Sequence, residues 1–346
     1  YFLMIHSSVY RRVLPVLFLG ISLAVVGCRG GAEEDAGTEE TGTGRYIYSA
    51  GDGDSVLLFW ASADTGELTY KKKFSTGSQS GNPTLAPHPN GKYLYVASRS
   101  QDRVAAYSIE ASTGNLTQIG SDLATGAGTG ANKLLVHSNG KYLYVLNTSA
   151  VVSQINIDQT TGALAVMSPA TVAITGAASG FHSGAISPNG TLLYGIETST
   201  TIRNMAISAT NGKLGMIMNF NVGYTCRTAI HNLAGTYLYT SCVNAQPGFR
   251  IDSNATSGVF SSAIGYPIVR EGRYSVANST RTFVYFQTDY YEIRVLTAGA
   301  SLTVASVVDV GNSSTFDQGV IDPTDKYLYI PRPDSKVIQQ YSINSA

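Results

Sequence analysis

The chain has 346 residues, of which 43% are apolar and 13% charged, and its 23 basic and 23 acidic side chains cancel at pH 7. No basic stripe or Lys/Arg block stands out, which argues against nucleic acid as a partner. The 36 glycines and 22 tyrosines, with abundant Thr and Ser, suit turns and half-buried strands rather than helices.

The N-terminus reads as a targeting segment. Arg11-Arg12 precede an apolar run from Val13 to Val26, interrupted by Pro15, Gly20 and Ser22. At 14 residues the run is short for a membrane span, which needs roughly 20. It ends in Val25-Val26-Gly27-Cys28, which is similar to a bacterial lipobox; Cys28 is then the expected lipidation site. The alternative is an ordinary signal peptide with a chance cysteine. Residues 29–44 are rich in Gly, Glu and Thr and lack aromatics, so they predict a flexible acidic tether.

From residue 45 onward one pattern recurs seven times, an aromatic-apolar-aromatic strand core with Leu replacing the first aromatic in the fourth copy. It reads Tyr46-Ile47-Tyr48, Tyr93-Leu94-Tyr95, Tyr142-Leu143-Tyr144, Leu192-Leu193-Tyr194, Tyr237-Leu238-Tyr239, Phe283-Val284-Tyr285 and Tyr327-Leu328-Tyr329. Successive copies start 47, 49, 50, 45, 46 and 44 residues apart. Several short strands per copy at this period predict an all-β, seven-bladed propeller with four-stranded blades over residues 45–346. A single unit cannot bury its own apolar face, so the copies must stack around an axis.

The second unit gives the plan. Pro83 to Pro87 is the first strand, His88-Pro89-Asn90-Gly91 a turn, Lys92 to Ser98 the second strand, Arg103 to Glu110 the third, and Leu116 opens the fourth. The first unit begins at its second strand and the last ends after its third. The ring therefore counts 26 strands where seven blades need 28, so the expectation is either further C-terminal sequence that completes the closing blade or a ring that closes imperfectly. His88, His137 and His231 fall at or near the first turn of separate units, with the turn at His231 one residue longer; they are turn residues rather than a metal cluster. Cys226 and Cys242 flank one hairpin at equal distance from its turn. In an exported chain that spacing predicts a disulfide, with two buried thiols as the alternative.

The repeat also serves as a ruler. The first strand of each blade lines the channel, and the residue ten before each core marks one mouth: Pro83, Asn132, His182, Arg227, Arg273 and Asp317. Such a ring suits a carboxylate or phosphate, Arg through its fork of donors. Arg227 and Arg273 could equally pair with Asp317 in a closed structural network. The loop on the same face contributes Asp52, Arg99, Glu197, Asp289 and Arg332, with Glu197 and Asp289 as candidate acid or base. No phosphate-binding Gly-Lys-Ser/Thr loop, dinucleotide fingerprint or Gly-x-Ser-x-Gly elbow is present, so neither cofactor nor metal is expected.

The units His88-Pro-Asn-Gly-Lys-Tyr-Leu-Tyr-Val and His137-Ser-Asn-Gly-Lys-Tyr-Leu-Tyr-Val-Leu-Asn resemble the lactonase-type seven-bladed propellers, which include 6-phosphogluconolactonase-like proteins and carboxymuconate cyclase and lie near the YVTN-repeat surface proteins. The resemblance implies closing strands from a C-terminal tail. It matches His182 to a His of the lactone-forming members, and Arg227 to an Arg usually preceded by Pro, where this chain has Cys226. The family's catalytic Glu falls on Val243. The leading expectation is therefore a monomeric, lipid-anchored protein of the bacterial envelope, periplasmic or cell-surface. Its channel mouth would bind an anionic small molecule or a protein partner. The alternatives are a sugar-lactone hydrolase using His182, Arg227, Glu197 and Asp289, and a YVTN-type adhesin or scaffold.

Overall fold

The computed structural model describes residues 5–6, 23–26, 44–50, 55–77, 83–128, 130–177, 179–242, 249–253, 260–265, 272–288, 292–297, 303–309, 318–332 and 337–343. For residues 5–6, 23–26, 216–217, 249–253, 260–265, 272–273 and 303–309 it describes the backbone alone. The described residues form seven antiparallel sheets, each a meander of neighbouring strands. Blade 3 runs Ala131–Val136, Tyr142–Asn147, Val151–Ile157 and Leu164–Ala173 from the channel outward. Blade 4 repeats it with Phe181–Ile186, Leu192–Glu197, Thr201–Ile207 and Leu214–Asn221. The fold is thus a seven-bladed β-propeller.

The aromatic core occupies the second strand of every blade because that strand is covered on both faces by neighbouring blades. Tyr93–Ser98, Tyr142–Asn147 and Tyr327–Arg332 are buried along their whole length. The outer strand of blade 1, Leu68–Ser75, is exposed nearly throughout. Seven apolar clusters follow, each shared by two adjacent blades, and one joins Ile47, Leu57 and Phe59 of blade 1 to Tyr327 and Tyr329 of blade 7. That last cluster closes the ring.

Blades 1, 2, 3 and 7 also hold the next blade by a hydrogen bond from the last tyrosine of the core. Tyr48, Tyr95 and Tyr144 donate to the carbonyls of Gly114, Gly162 and Gly212, in the turns between the third and fourth strands of the following blades. Tyr329 of blade 7 reaches Gly66 of blade 1 in the same way, at 2.8 Å. The turn glycine has two reasons to be glycine. Gly114 has φ +70, and a Cβ there would sit 2.6 Å from the Tyr46 ring. Arg45 adds an ion pair with Asp322 at 2.8 Å across the same closing boundary.

Two short N-terminal strands supply the pair missing from the count. Leu23–Val26 lies on Gly44–Ala50 at the inner position of blade 1, and Ile5–His6 lies outside Val337–Ile343 in blade 7. The closing strands thus come from the N-terminal side rather than from the C-terminal tail that the family resemblance implies. A strand at Leu23–Val26 and a signal cleaved before Cys28 are alternative fates of one segment. Cys28 itself lies outside the described residues.

The turn histidines need one correction. His88 and His137 do sit in the first turn, where their Nε2 atoms bond the carbonyls of Gly140 and Gly190 in the next blade at 2.9 and 2.8 Å. In blade 5 that position belongs to Asn232, whose amide bonds the Tyr237 carbonyl as His88 does that of Tyr93. The turn has the usual length, and His231 precedes it in the inner strand, its ring tilted against that of Tyr194 with centroids 4.6 Å apart. Among the described residues no group of three or more His, Cys, Asp or Glu is placed to hold a metal ion.

Candidate functional site at the channel mouth

The inner strands of blades 3, 4 and 6 share an irregularity that the spacing alone does not reveal. Their pairing shifts by one residue between Ala131 and Lys133, between Phe181 and Ser183, and between Gly272 and Tyr274. The extra residues are Asn132, His182 and Arg273, three of the positions the repeat ruler picks out. Blade 5 shifts too: Cys226 faces Cys242 and Ile230 faces Tyr239, which leaves one residue too many on the inner side around Arg227. A bulge bends its strand and re-aims a side chain, and bulges gather beside functional sites. Blade 2 has no bulge there: Pro83 pairs regularly with Ser98.

These positions open on a cavity of about 1020 Å³ that runs along the axis. Asn132, His182 and Arg227 line it with Arg99, Lys133, Tyr274 and Gln318, and no carboxylate lines it among the described residues. Burial lowers the His182 pKa, and the nearby positive charges of Arg227 and Arg99 lower it further, so the imidazole is neutral at pH 7. The Arg227 Nε is buried without a hydrogen-bond partner among the described residues. The Asn132 amide donates to the Phe181 carbonyl of the next blade. An unpaired guanidinium nitrogen, a neutral imidazole and an excess of positive charge together suit an anion.

Sequence reasoning missed Lys133. Its ammonium reaches from blade 3 to blade 7 and donates to Gln318 Oε1 at 2.7 Å. The signal was present, because Lys133 is the only cation one place after the ruler positions. The bulge is what brings both Asn132 and Lys133 to the cavity wall.

Glu197 does not serve the mouth as an acid or base. It is 1% exposed, and its Oε1 pairs with Arg203 Nε at 2.6 Å while Oε2 accepts from Ser199 at 2.7 Å. Arg203 also holds the Gly176 carbonyl, so the pair braces the second and third strands of blade 4. Asn147 fills the same repeat position in blade 3 and bonds Ser153 Oγ at 3.0 Å. Cys242 fills it in blade 5 and forms the expected disulfide with Cys226. Arg332 fills it in blade 7 and is likewise buried. Arg273 is described in its backbone alone, and Asp52, Asp289, Asp317 and Val243 lie outside the described residues.

Residues 30–130 match the family model described as lactonase, 7-bladed beta-propeller. Solved structures agree in fold. A provisionally assigned 6-phosphogluconolactonase from Bacteroides uniformis superposes with a TM-score of 0.70 at 16% identity, over 94% of this chain and 92% of that one. A second such protein, from Bacteroides fragilis, gives 0.70 at 19% identity, over 93% and 90%. Hydrazine synthase from Kuenenia stuttgartiensis gives 0.66 at 14% identity, over 86% and 92%. No match was found among curated proteins. Residues 30–130 are thus similar to a lactonase-type propeller, and the solved structures share the seven-bladed β-propeller fold.

Proposed function

We propose that the protein binds an anionic small molecule at the channel mouth, with Arg227 as the principal anchor. The supporting observation is the buried, unpartnered Arg227 Nε beside neutral His182, in a cavity where no described carboxylate competes for it. Arg99 adds long-range attraction, and Lys133 lies one residue beyond the Asn132 bulge. Titration calorimetry with inorganic phosphate and with citrate tests the reading. At least one should bind saturably, and Arg227→Ala should weaken it by about tenfold or more, the usual loss for a hydrogen bond to a charged group. Absence of saturable binding in the unaltered protein would sink it.

The family match and the neutral imidazole support a second reading, hydrolysis of a lactone. In it His182 accepts a proton from water as the water oxygen bonds to the ester carbonyl carbon, and Arg227 holds the oxyanion. The ring C–O bond then breaks, and the leaving alkoxide takes the proton back. Turnover of a sugar δ-lactone that disappears in His182→Ala would favour this reading over simple binding.

For location, the Cys226–Cys242 disulfide favours an exported protein, and the Val25-Val26-Gly27-Cys28 motif favours a lipid anchor at Cys28. Intact mass of the protein from a bacterial membrane fraction tests this: a diacylglycerol-modified N-terminus at Cys28 is expected, and an unprocessed chain in the cytosol overturns it.

A further inference from the structure

We propose that the Cys226–Cys242 disulfide is a positioning device for Arg227: it fixes the bulge from which the guanidinium enters the channel mouth. Blades 3, 4 and 6 carry the bulge inside six-residue inner strands, with regular pairs beyond it at Ala131 and Asn147, at Phe181 and Glu197, and at Gly272 and Thr288. The inner strand of blade 5 is only Ile230–His231, so the ladder ends three residues short of Arg227. Three other contacts stand in for the ladder. The disulfide ties Cys226 to Cys242 immediately before Arg227, and both residues are 1% exposed. Immediately after it, buried Thr228 and Ser241 pair their hydroxyls at 2.9 Å, while Arg227 N donates to the Ser241 carbonyl at 2.8 Å. Arg227 is thus clamped on both sides by bonds that the other blades do not need. Its own Nε has no hydrogen-bond partner among the described residues, so the clamped backbone is what sets where its side chain starts.

The device holds a group within the tolerance that recognition of a small ligand demands. Its value for binding rests on the anion-binding reading above; its effect on Arg227 does not. The test therefore has two readouts on the full chain, made with the double variant Cys226→Ala/Cys242→Ala and with Arg227→Met as a reference. The first is the titration of the His182 ring by NMR, since Arg227 contributes to its lowered pKa. In the double variant the His182 pKa should rise toward the value found in Arg227→Met. The second is phosphate affinity, which should fall by about tenfold, the loss expected for a misplaced charged hydrogen bond. If the double variant fails to fold, both readouts are made on the unaltered protein before and after dithiothreitol, with free thiols counted. A lower melting temperature with the His182 titration and the phosphate affinity both unchanged would overturn the proposal and leave the disulfide a mere staple. A shifted His182 titration in a protein that binds no phosphate would keep the positioning role and remove the ligand reading instead.

Discussion

Tyr329 and Gly66 lie 263 positions apart, yet the hydroxyl of one meets the carbonyl of the other at 2.8 Å. Tyr329→Phe leaves a buried carbonyl short of its donor and should cost about 1–2 kcal/mol in urea unfolding. Gly66→Ala should cost more, because it adds a positive-φ penalty of about 1 kcal/mol to a Cβ placed 2.5 Å from the Tyr327 ring. Acid sensitivity has a source in a single side chain as well. Burial, with the charge of Arg281, holds the His231 pKa down to about 3 in the folded chain, against about 6.5 when unfolded. Between those values the unfolded state binds the extra proton. Stability is therefore fully present above about pH 6.5 and is lost as pH falls toward 3, with a slope of up to about 1.4 kcal/mol per unit from this group. His231→Gln should flatten the pH dependence of the unfolding midpoint between pH 6 and 4 relative to the unaltered chain. The turn position one residue away was legible only approximately. Spacing placed His231 near the slot of His88 and His137, but which of two neighbours takes the slot depends on strand register, and the register gives it to Asn232.

Strands were legible wherever alternation and turn glycines agreed, and blade 2 falls at Pro83–Pro87, Tyr93–Ser98 and Arg103–Ile109 within a residue or so of expectation. The bulges were not legible, since an extra residue in one strand appears only against its partner. They explain why counting back ten residues from each aromatic core landed on Asn132, His182 and Arg273: the count tracked a repeated kink. The same count could not tell that Glu197 would find Arg203 six residues on and turn inward with it. Breaking that buried pair by Glu197→Ala should destabilise the protein by about 3–5 kcal/mol, since a buried guanidinium is left unpaired. Melting curves would check the loss, and lactone turnover or phosphate affinity in the surviving folded fraction should be unaffected. Deleting residues 1–27 removes the strand paired with Gly44–Ala50. Hydrogen exchange at the amides of that strand which bond Leu23–Val26 should then accelerate, while amides facing Ser55–Ser62 stay protected.

Seven apolar clusters, each spanning two blades, make the molecule a closed circuit rather than a row of domains. The aromatic period alone carried this much, because a unit that cannot cover itself must be covered by its neighbours. Chemistry was far less legible than architecture. The mouth is assembled from Arg99, Asn132, His182 and Arg227, side chains from three different blades and one loop, and its charge depends on which carboxylates turn away.

The tyrosine latches of blades 1, 2, 3 and 7 all point the same way, from one blade to its successor, and that of blade 7 points to the first. The ring is thus joined at its seam by the same contact that joins blades within it. Joining the old termini and opening new ones at the exposed link between two blades should leave all of these contacts in place, so the molecule should accept rearranged gene order with little change in shape. A circular permutant that begins at residue 130, just before blade 3, ought to purify folded and to keep its anion affinity.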